Sequence, residues 1–514
     1  MDKSWIQELP EHEYNETLIK WAAPQDWVNP IADGVYNMII IGAGSGGLVV
    51  ASGAAQLGAK VALIEKSVIG GDCLNVGCMP SKAIIRAAKT LGYINKGKGF
   101  GIEAENVTVD FKKVMEHVYW TRAQIAPHDS AERFTNMGID VFYGDAQFTG
   151  RNTIEIDGQT LEFKKATIAT GSRPIVIPID GLEETGYITN ETLWHMTEQP
   201  EAMAIIGGGP IGAEMAQAFA RLGTKVTLID VSSQILGRED RDAAEIVQAA
   251  MLKDGVEILL EANTKRVYSQ DGQKVLEIEV KGETQHLLVD EILLSVGRAP
   301  NLEGLNLEAA GVDYHKKGLV VDDYLQTTNE DIYGVGDVAL KYQFTHAAGH
   351  SAAIVVQNAL FADFVPLVSN AAKRKVSDLI MPWATYTDPE VAHVGAYPHD
   401  LDEQGVEYDT YQVGADVNDR AIAEAATDGF IKVHVKKGGD KILGATIVGS
   451  VASELLSEIA IAMKYNLGLG KLRSVIMPYP TQSEIIQKVA NEQAKTLITP
   501  GRQRILGGWM NFTR

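Results

Sequence analysis

Cysteine is almost missing from this chain. Its two cysteines, Cys73 and Cys78, are too few for the disulfide framework of a small secreted domain. Positive charge is also in deficit: 46 Lys and Arg face 67 Asp and Glu, for a formal charge of −21. That balance argues against nucleic acid or an anionic membrane as a partner of the chain as a whole, because both require a basic surface. The opening residues "MDKSWIQELPEHEYNETLIK" contain acids and lack the apolar segment of a secretory signal, so a cytoplasmic location is expected. No run of 18 apolar residues offers a membrane span. What remains is an acidic protein with ordinary hydrophobic content, 45%, and length for about three domains.

Glycine, by contrast, is placed with purpose. In "MIIIGAGSGGLVVASGAAQLGAKVALIEK" an apolar run, a glycine cluster, a small-residue helix and a second apolar run spell a βαβ unit. Gly42, Gly44 and Gly47 form GxGxxG. The first permits the tight turn, the second lets backbone approach a pyrophosphate, and the third lets helix and strand pack. Glu65 ends the second strand, where a carboxylate can bond a ribose diol. "AMAIIGGGPIGAEMAQAFARLGTKVTLID" repeats the unit with Gly207, Gly209, Gly212 and Asp230. In both units the acid follows the first glycine by 23 residues, a spacing that two unrelated glycine turns would not share.

Two dinucleotide sites in one chain predict electron relay from a nicotinamide to a flavin. Asp337, in "TTNEDIYGVGDVA", follows a short strand and could hold the sugar-like chain of a flavin. "IATGSRP", with Thr170 and Gly171, and "SVGRAPN", with Gly297, read as crossings between domains. From about residue 374 the pattern changes to antiparallel strands, then to a helix with an apolar stripe, "ASELLSEIAIAMKYNL". Between the two units' ends lies "GGDCLNVGCMPSK". Pro80 suits the first turn of a helix through "SKAIIRAAKTL". Cys78 then lies at a helix N-terminus near Lys82, and both the dipole and the cation favour its thiolate.

In their order these motifs resemble the FAD-dependent pyridine nucleotide-disulfide oxidoreductases, the family of dihydrolipoamide dehydrogenase, glutathione reductase and mercuric reductase. The resemblance runs over roughly residues 35–495. It implies an α/β fold with two Rossmann-like domains and an α+β dimerisation domain. The expected division is an N-terminal extension at 1–34, FAD-binding segments at 35–182 and 301–373, an inserted NAD(P) domain at 183–300, a dimerisation domain at 374–495 and a tail at 496–514. FAD belongs on the first βαβ unit and NADPH or NADH on the second. The resemblance adds Ala146 and Ala347 to the cofactor contacts and pairs Lys82 with Glu214 beside the flavin ring. It makes Cys73 the outer, substrate-facing thiol and Cys78 the inner, flavin-facing one, together a redox-active disulfide. Asp72 departs from the threonine usual before the first cysteine.

The resemblance also implies a homodimer in which a histidine of an HPT motif, with a glutamate five residues on, protonates the leaving thiolate from the partner subunit. Here the text is "IMPYPTQSEII": Tyr479 stands at the histidine position, and Pro480, Thr481 and Glu484 remain. A phenol of pKa about 10 is a poor proton shuttle at neutral pH beside imidazole at about 6.5. Mercuric reductases resemble this chain at that position, and two thiolates suit Hg(II). The sequence reading therefore expects reduction of Hg(II) or a similarly soft metal ion, with Cys73 and Cys78 as its ligands and Tyr479 and Glu484 completing the site. The alternatives are a disulfide reductase, a quinone-reducing diaphorase, and a structural subunit of a lipoyl complex. No cysteine pair lies in the tail "LGGWMNFTR".

Overall fold

The computed structural model describes residue 6, residues 8–361 and residues 373–514. Parts of the expected extension (1–5 and 7) and of the second FAD-binding segment (362–372) lie outside the described residues. The chain divides into two compact units. One holds residues 1–231 and 256–379, the other residues 232–255 and 380–514.

The first unit is built on a seven-stranded sheet. Val35–Ile41 lies between Val61–Glu65 and Gln159–Ile168, parallel to both. Met38–Ile41 and Val61–Glu65 are buried on both faces, as a sheet covered on both sides requires, while Gln159–Ile168 alternates until its last three residues. Met38, Ile40 and Leu63 meet one core, under the helices Ser45–Gln56 and Thr345–Phe361, while Tyr36, Ile39 and Ile64 meet another with Phe148 and Leu161. Gln159–Ile168 is long enough for two partners on one edge. Its first half pairs antiparallel with Thr153–Ile156 and its last residues pair parallel with Ile332–Gly334. The N-terminal segment packs here too: Leu18 and Ala22 of the helix Glu13–Ala22 are buried, and Arg122 donates to Asn15 Oδ1.

The same unit carries a second parallel sheet, in the order Glu257–Leu259, Lys225–Ile229, Ala202–Ile206, Glu291–Leu294. An antiparallel sheet, Ala262–Gln270, Gln273–Val280 and Glu283–Val289, is inserted before the last of those strands. The crossings "IATGSRP" and "SVGRAPN" pair with each other. Arg298 lies opposite Pro174, Thr170 Oγ1 donates to Asn301 O, and the Asn301 amide donates to Thr170 O.

The second unit is a five-stranded antiparallel sheet, ordered Pro382–Thr385, Glu390–Gly395, Ile442–Gly449, Phe430–Lys436, Tyr408–Gly414. Ile431, Val433, Ile459, Ile486 and Val489 form its core with the helices Ala452–Lys464 and Glu484–Thr496. Residues 232–255 join this unit for a polar reason. Trp383 Nε1 and Tyr397 OH both donate to buried Glu239, and Lys432 reaches Asp240 and Asp242. The tail folds as a helix, Pro500–Phe512, capped by the Thr499 hydroxyl.

Candidate active site

The two glycine loops have one geometry. Gly42 and Gly207 sit at φ +103° and +109°, where glycine is favoured, and a Cβ there would strike the carbonyl oxygens of Ala169 and Ser295 at 2.4 and 2.5 Å. A Cβ on Gly47 or Gly212 would lie 1.8 or 1.9 Å from the carbonyl oxygen of Gly42 or Gly207. Those four glycines are required by the protein itself. Gly44 and Gly209 are not. They have ordinary extended conformations as N-caps of Ser45–Gln56 and Pro210–Leu222. A Cβ on Gly44 would meet nothing closer than Gly71 Cα at 3.7 Å, and on Gly209 nothing within 4 Å. The space over each middle glycine is open, at a helix N-terminus, where N–H groups face outward. A pyrophosphate fits there.

The acids also repeat. Ala43 N–H donates to Glu65 Oε2 at 2.8 Å, and Gly208 N–H donates to Asp230 Oδ2. Each carboxylate is thus tied to the residue after its loop's first glycine. Glu65 also accepts from Ser67 N–H, and burial pushes its pKa up against those bonds. Asp337 accepts from the Ser172 hydroxyl at 2.5 Å and lies 3.8 Å from the Arg298 guanidinium, beside the paired crossings that contain Thr170, Gly171 and Gly297. Ala146 and Ala347 are buried, the former in the core beside Phe148.

The cysteine loop is built directly on the first glycine loop. Gly70 N–H donates to Ala43 O, and a Cβ on Gly71 would lie 2.7 Å from Gly44 Cα. The thiols therefore stand beside the first dinucleotide site. Cys73 lies in the short helix Gly71–Asn75 and Cys78 opens the helix Cys78–Gly97; both are free thiols. The loop is held from behind. Fully buried Arg122 donates to Asn75 O, Trp194 Nε1 donates to Val76 O, and the Asn75 amide donates to Ile69 O and Gly71 O.

The thiols are not equivalent. The Cys78 pKa is pulled down to about 6, chiefly by the hydrogen bond from Cys73; burial opposes this, while Thr345 and Lys82 add to it. Cys73 is pushed up, first by that bond and then by burial. Cys78 is thus the thiolate and Cys73 the thiol that supports it. Thr345 Oγ1 lies 3.2 Å from Cys78 Sγ. Lys82 Nζ and Glu214 Oε2 form an ion pair at 2.6 Å, which anchors the cation one helical turn from Cys78.

Tyr479 and Glu484 belong to the second unit. Tyr479 OH donates to Asp419 Oδ2 at 3.1 Å, which raises the phenol's pKa further. Thr481 N–H points to Glu484 Oε2 at 3.4 Å, at the start of Glu484–Thr496.

Several residues escaped the sequence reading. Thr345 is 267 residues from Cys78, and no local pattern joins them. Arg122 and Trp194, the loop's anchors, lie in stretches without motifs. Asp72, where threonine was expected, forms an ion pair with Arg298, which also donates to Ser172. Asp72 was read as a departure and Arg298 only as part of a crossing; 226 positions separate them, and no local pattern joins them.

Comparison with known proteins agrees with this geometry. Residues 36–352 match the pyridine nucleotide-disulphide oxidoreductase family, and residues 381–490 match its dimerisation domain. A mercuric reductase of Staphylococcus aureus is 33% identical over 459 residues, 89% of this chain and 82% of that one. A dihydrolipoyl dehydrogenase of Geobacillus stearothermophilus is also 33% identical, over 88% of this chain and 95% of its own. Among solved structures, the HOCl-induced flavoprotein disulfide reductase RclA from Escherichia coli superposes with a TM-score of 0.78 at 28% identity, over 89% of this chain and 99% of that one. With a paired-cysteine loop seated on the first of two dinucleotide loops, and a family match across both, this chain belongs to the pyridine nucleotide-disulphide oxidoreductases, enzymes that use FAD and NAD(P)H.

Proposed function

We propose that the chain is a homodimeric NAD(P)H-dependent reductase of a soft metal ion, Hg(II) in the first instance, with Cys73 and Cys78 as the ion's ligands. The observation that carries this reading is Tyr479. A phenol bonded to Asp419, with its pKa raised, is a poor donor for a departing thiolate. Disulfide reduction needs that proton, whereas reduction of a metal ion does not. A Cu(II) complex of the RclA relative is known, at 28% identity to this chain.

The roles follow from the site. FAD, cradled by Gly42, Gly44, Gly47, Glu65, Asp337 and the residues around Thr170, supplies the two-electron relay when bound. Gly207, Gly209, Gly212 and Asp230 would hold NAD(P)H. Cys78 meets the ion first, as thiolate. Cys73 loses its proton on binding the ion and so completes a two-sulfur site. Held on its glycine loop, NAD(P)H would supply the two electrons of a hydride, with which Hg(II) bound by the two sulfurs would leave as Hg(0), the hydride's proton going to solvent. Both sulfurs end as they began, and Cys73 recovers a proton. Lys82, held by Glu214, keeps positive charge beside the thiolate. The partner subunit's Tyr479 and the partner subunit's Glu484 wall the open side.

The test is NAD(P)H consumption with Hg(II), lipoamide, oxidised glutathione and a quinone under matched conditions, with excess external thiol for the metal. Hg(II) should be turned over fastest, and Cys73→Ala should abolish it. A faster rate with either disulfide overturns the reading in favour of disulfide reduction, which the equal identity to dihydrolipoyl dehydrogenase supports. Quinone reduction that survives loss of both cysteines overturns it in favour of a diaphorase.

A further inference from the structure

The chain's acidity conceals one region of opposite character. After Lys495, which pairs with Glu492, no acid occurs, while Arg502, Arg504 and Arg514 do, in a chain of net charge −21. This segment contains the helix Pro500–Phe512, none of whose residues is buried. Its large apolar side chains stand in solvent: Ile505 is 75% exposed, Trp509 64% and Phe512 83%, with Leu506 and Met510 also exposed. At 100° per residue these five side chains fall on one arc about 160° wide. Gly507, Gly508 and Asn511 occupy the other side. Such a helix is weak by itself. It is only 13 residues long, and two adjacent glycines interrupt it. Its order requires a surface that takes up the apolar face.

We propose that this helix docks on the surface of an anionic lipid bilayer and tethers the enzyme there. Charge complementarity selects that occupant. Three arginines without an acid among them attract anionic headgroups, although the body as a whole repels them. Arg502, in the first turn of the helix, projects on the same arc, so a cation stands beside the apolar side chains, where a layer of anionic headgroups would meet both. Tryptophan and phenylalanine with flanking arginines form the pattern of an interfacial helix. It lies on the bilayer: no helix among the described residues is long and apolar enough to cross one.

The experiment is flotation of the full-length holoenzyme with vesicles of phosphatidylcholine containing 30% phosphatidylglycerol, or of phosphatidylcholine alone, at low and high salt. At about one factor of five per cation near the surface, binding to the anionic vesicles should exceed that to neutral ones at least ~tenfold and fall to a similar extent at high salt. Ile505→Asp/Trp509→Asp should remove it while leaving flavin content and melting temperature unchanged, because both side chains are exposed. Arg502→Gln/Arg504→Gln/Arg514→Gln should weaken it while sparing the apolar face. Absence of flotation, or equal and salt-insensitive binding to both vesicles, overturns the proposal. So does a double aspartate variant that floats normally. If instead that variant dissociates the dimer and wild type ignores vesicles, the face belongs to a second copy of the chain.

Discussion

Replacing Gly44 by alanine separates a glycine kept for a ligand from one kept for the fold. Gly47→Ala would place a methyl 1.8 Å from Gly42 O, against an ordinary contact of 3.4 Å or more. Helix Ser45–Gln56 would have to lift by more than an ångström from its strand, and overpacking of that kind costs about 1–3 kcal/mol or more. Gly44→Ala meets only Gly71 Cα at 3.7 Å and keeps an allowed backbone. Its small N-cap penalty is offset by lower entropy of the unfolded chain, so the net change should stay below about 1 kcal/mol. FAD is the quantity that should suffer. A methyl over the helix N-terminus keeps the pyrophosphate off the loop N–H groups, and a hydrogen bond to a charged group is worth about 1.5–3 kcal/mol. One lost bond is about tenfold to a hundredfold in affinity. The assay is flavin titration of the deflavinated protein, followed by fluorescence, beside thermal unfolding of the same apoprotein. Gly44→Ala should melt like wild type and bind FAD weakly; Gly47→Ala should lose both properties. A Gly44→Ala protein that binds FAD normally, or melts as early as Gly47→Ala, refutes the assignment of that open space to a ligand.

Three other outcomes follow from the site. The reduced enzyme should carry a Cys78 thiolate above pH about 6 and lose it as pH falls through that value, seen as the 240 nm difference between wild type and Cys78→Ser; Cys73→Ala removes the main cause of the depression, so the midpoint should rise toward that of an ordinary thiol. Tyr479→Phe should lower Hg(II) turnover less than about threefold, while Tyr479→His, with an imidazole pKa near 6.5, should raise lipoamide or glutathione reduction by about tenfold or more; unchanged disulfide rates in Tyr479→His would count against the missing-proton argument. Asp230→Ala should shift the NADH:NADPH ratio of kcat/KM toward NADPH, because a carboxylate at the ribose repels a 2′-phosphate; an unchanged ratio removes Asp230 as the selector.

How much of this was legible in the sequence depends on distance along the chain. The glycine loops and the cysteine loop are local devices. Turn, close approach and helix start all fall within a few residues, so spacing alone reveals them. The apolar run Met38–Ile41 likewise reports a strand buried on both faces. Thr345, Arg122 and Trp194 act through single long-range bonds, and such residues carry no periodic mark. The allegiance of residues 232–255 was hidden for a similar reason: Glu239 is an unremarkable acid until Trp383 and Tyr397 donate to it from more than 140 positions away. Asp72 reads as a defect in a motif until Arg298 is beside it.

The strand Gln159–Ile168 receives its last neighbour, Ile332–Gly334, only after the whole of the second parallel sheet has been specified. On a ribosome this fixes an order of events. At 5–20 residues per second, roughly 10–30 s separate the emergence of these two strands. During that interval Ala166, Thr167 and Ile168 present an unpaired edge, and Asp337 does not yet exist to accept from Ser172. The nascent chain must keep its first sheet unfinished while residues 202–294 fold. A transcript cut short before residue 332 therefore encodes a protein with two glycine loops and both cysteines but an open sheet edge, a substrate for chaperones and proteases and no competitor for the cofactor.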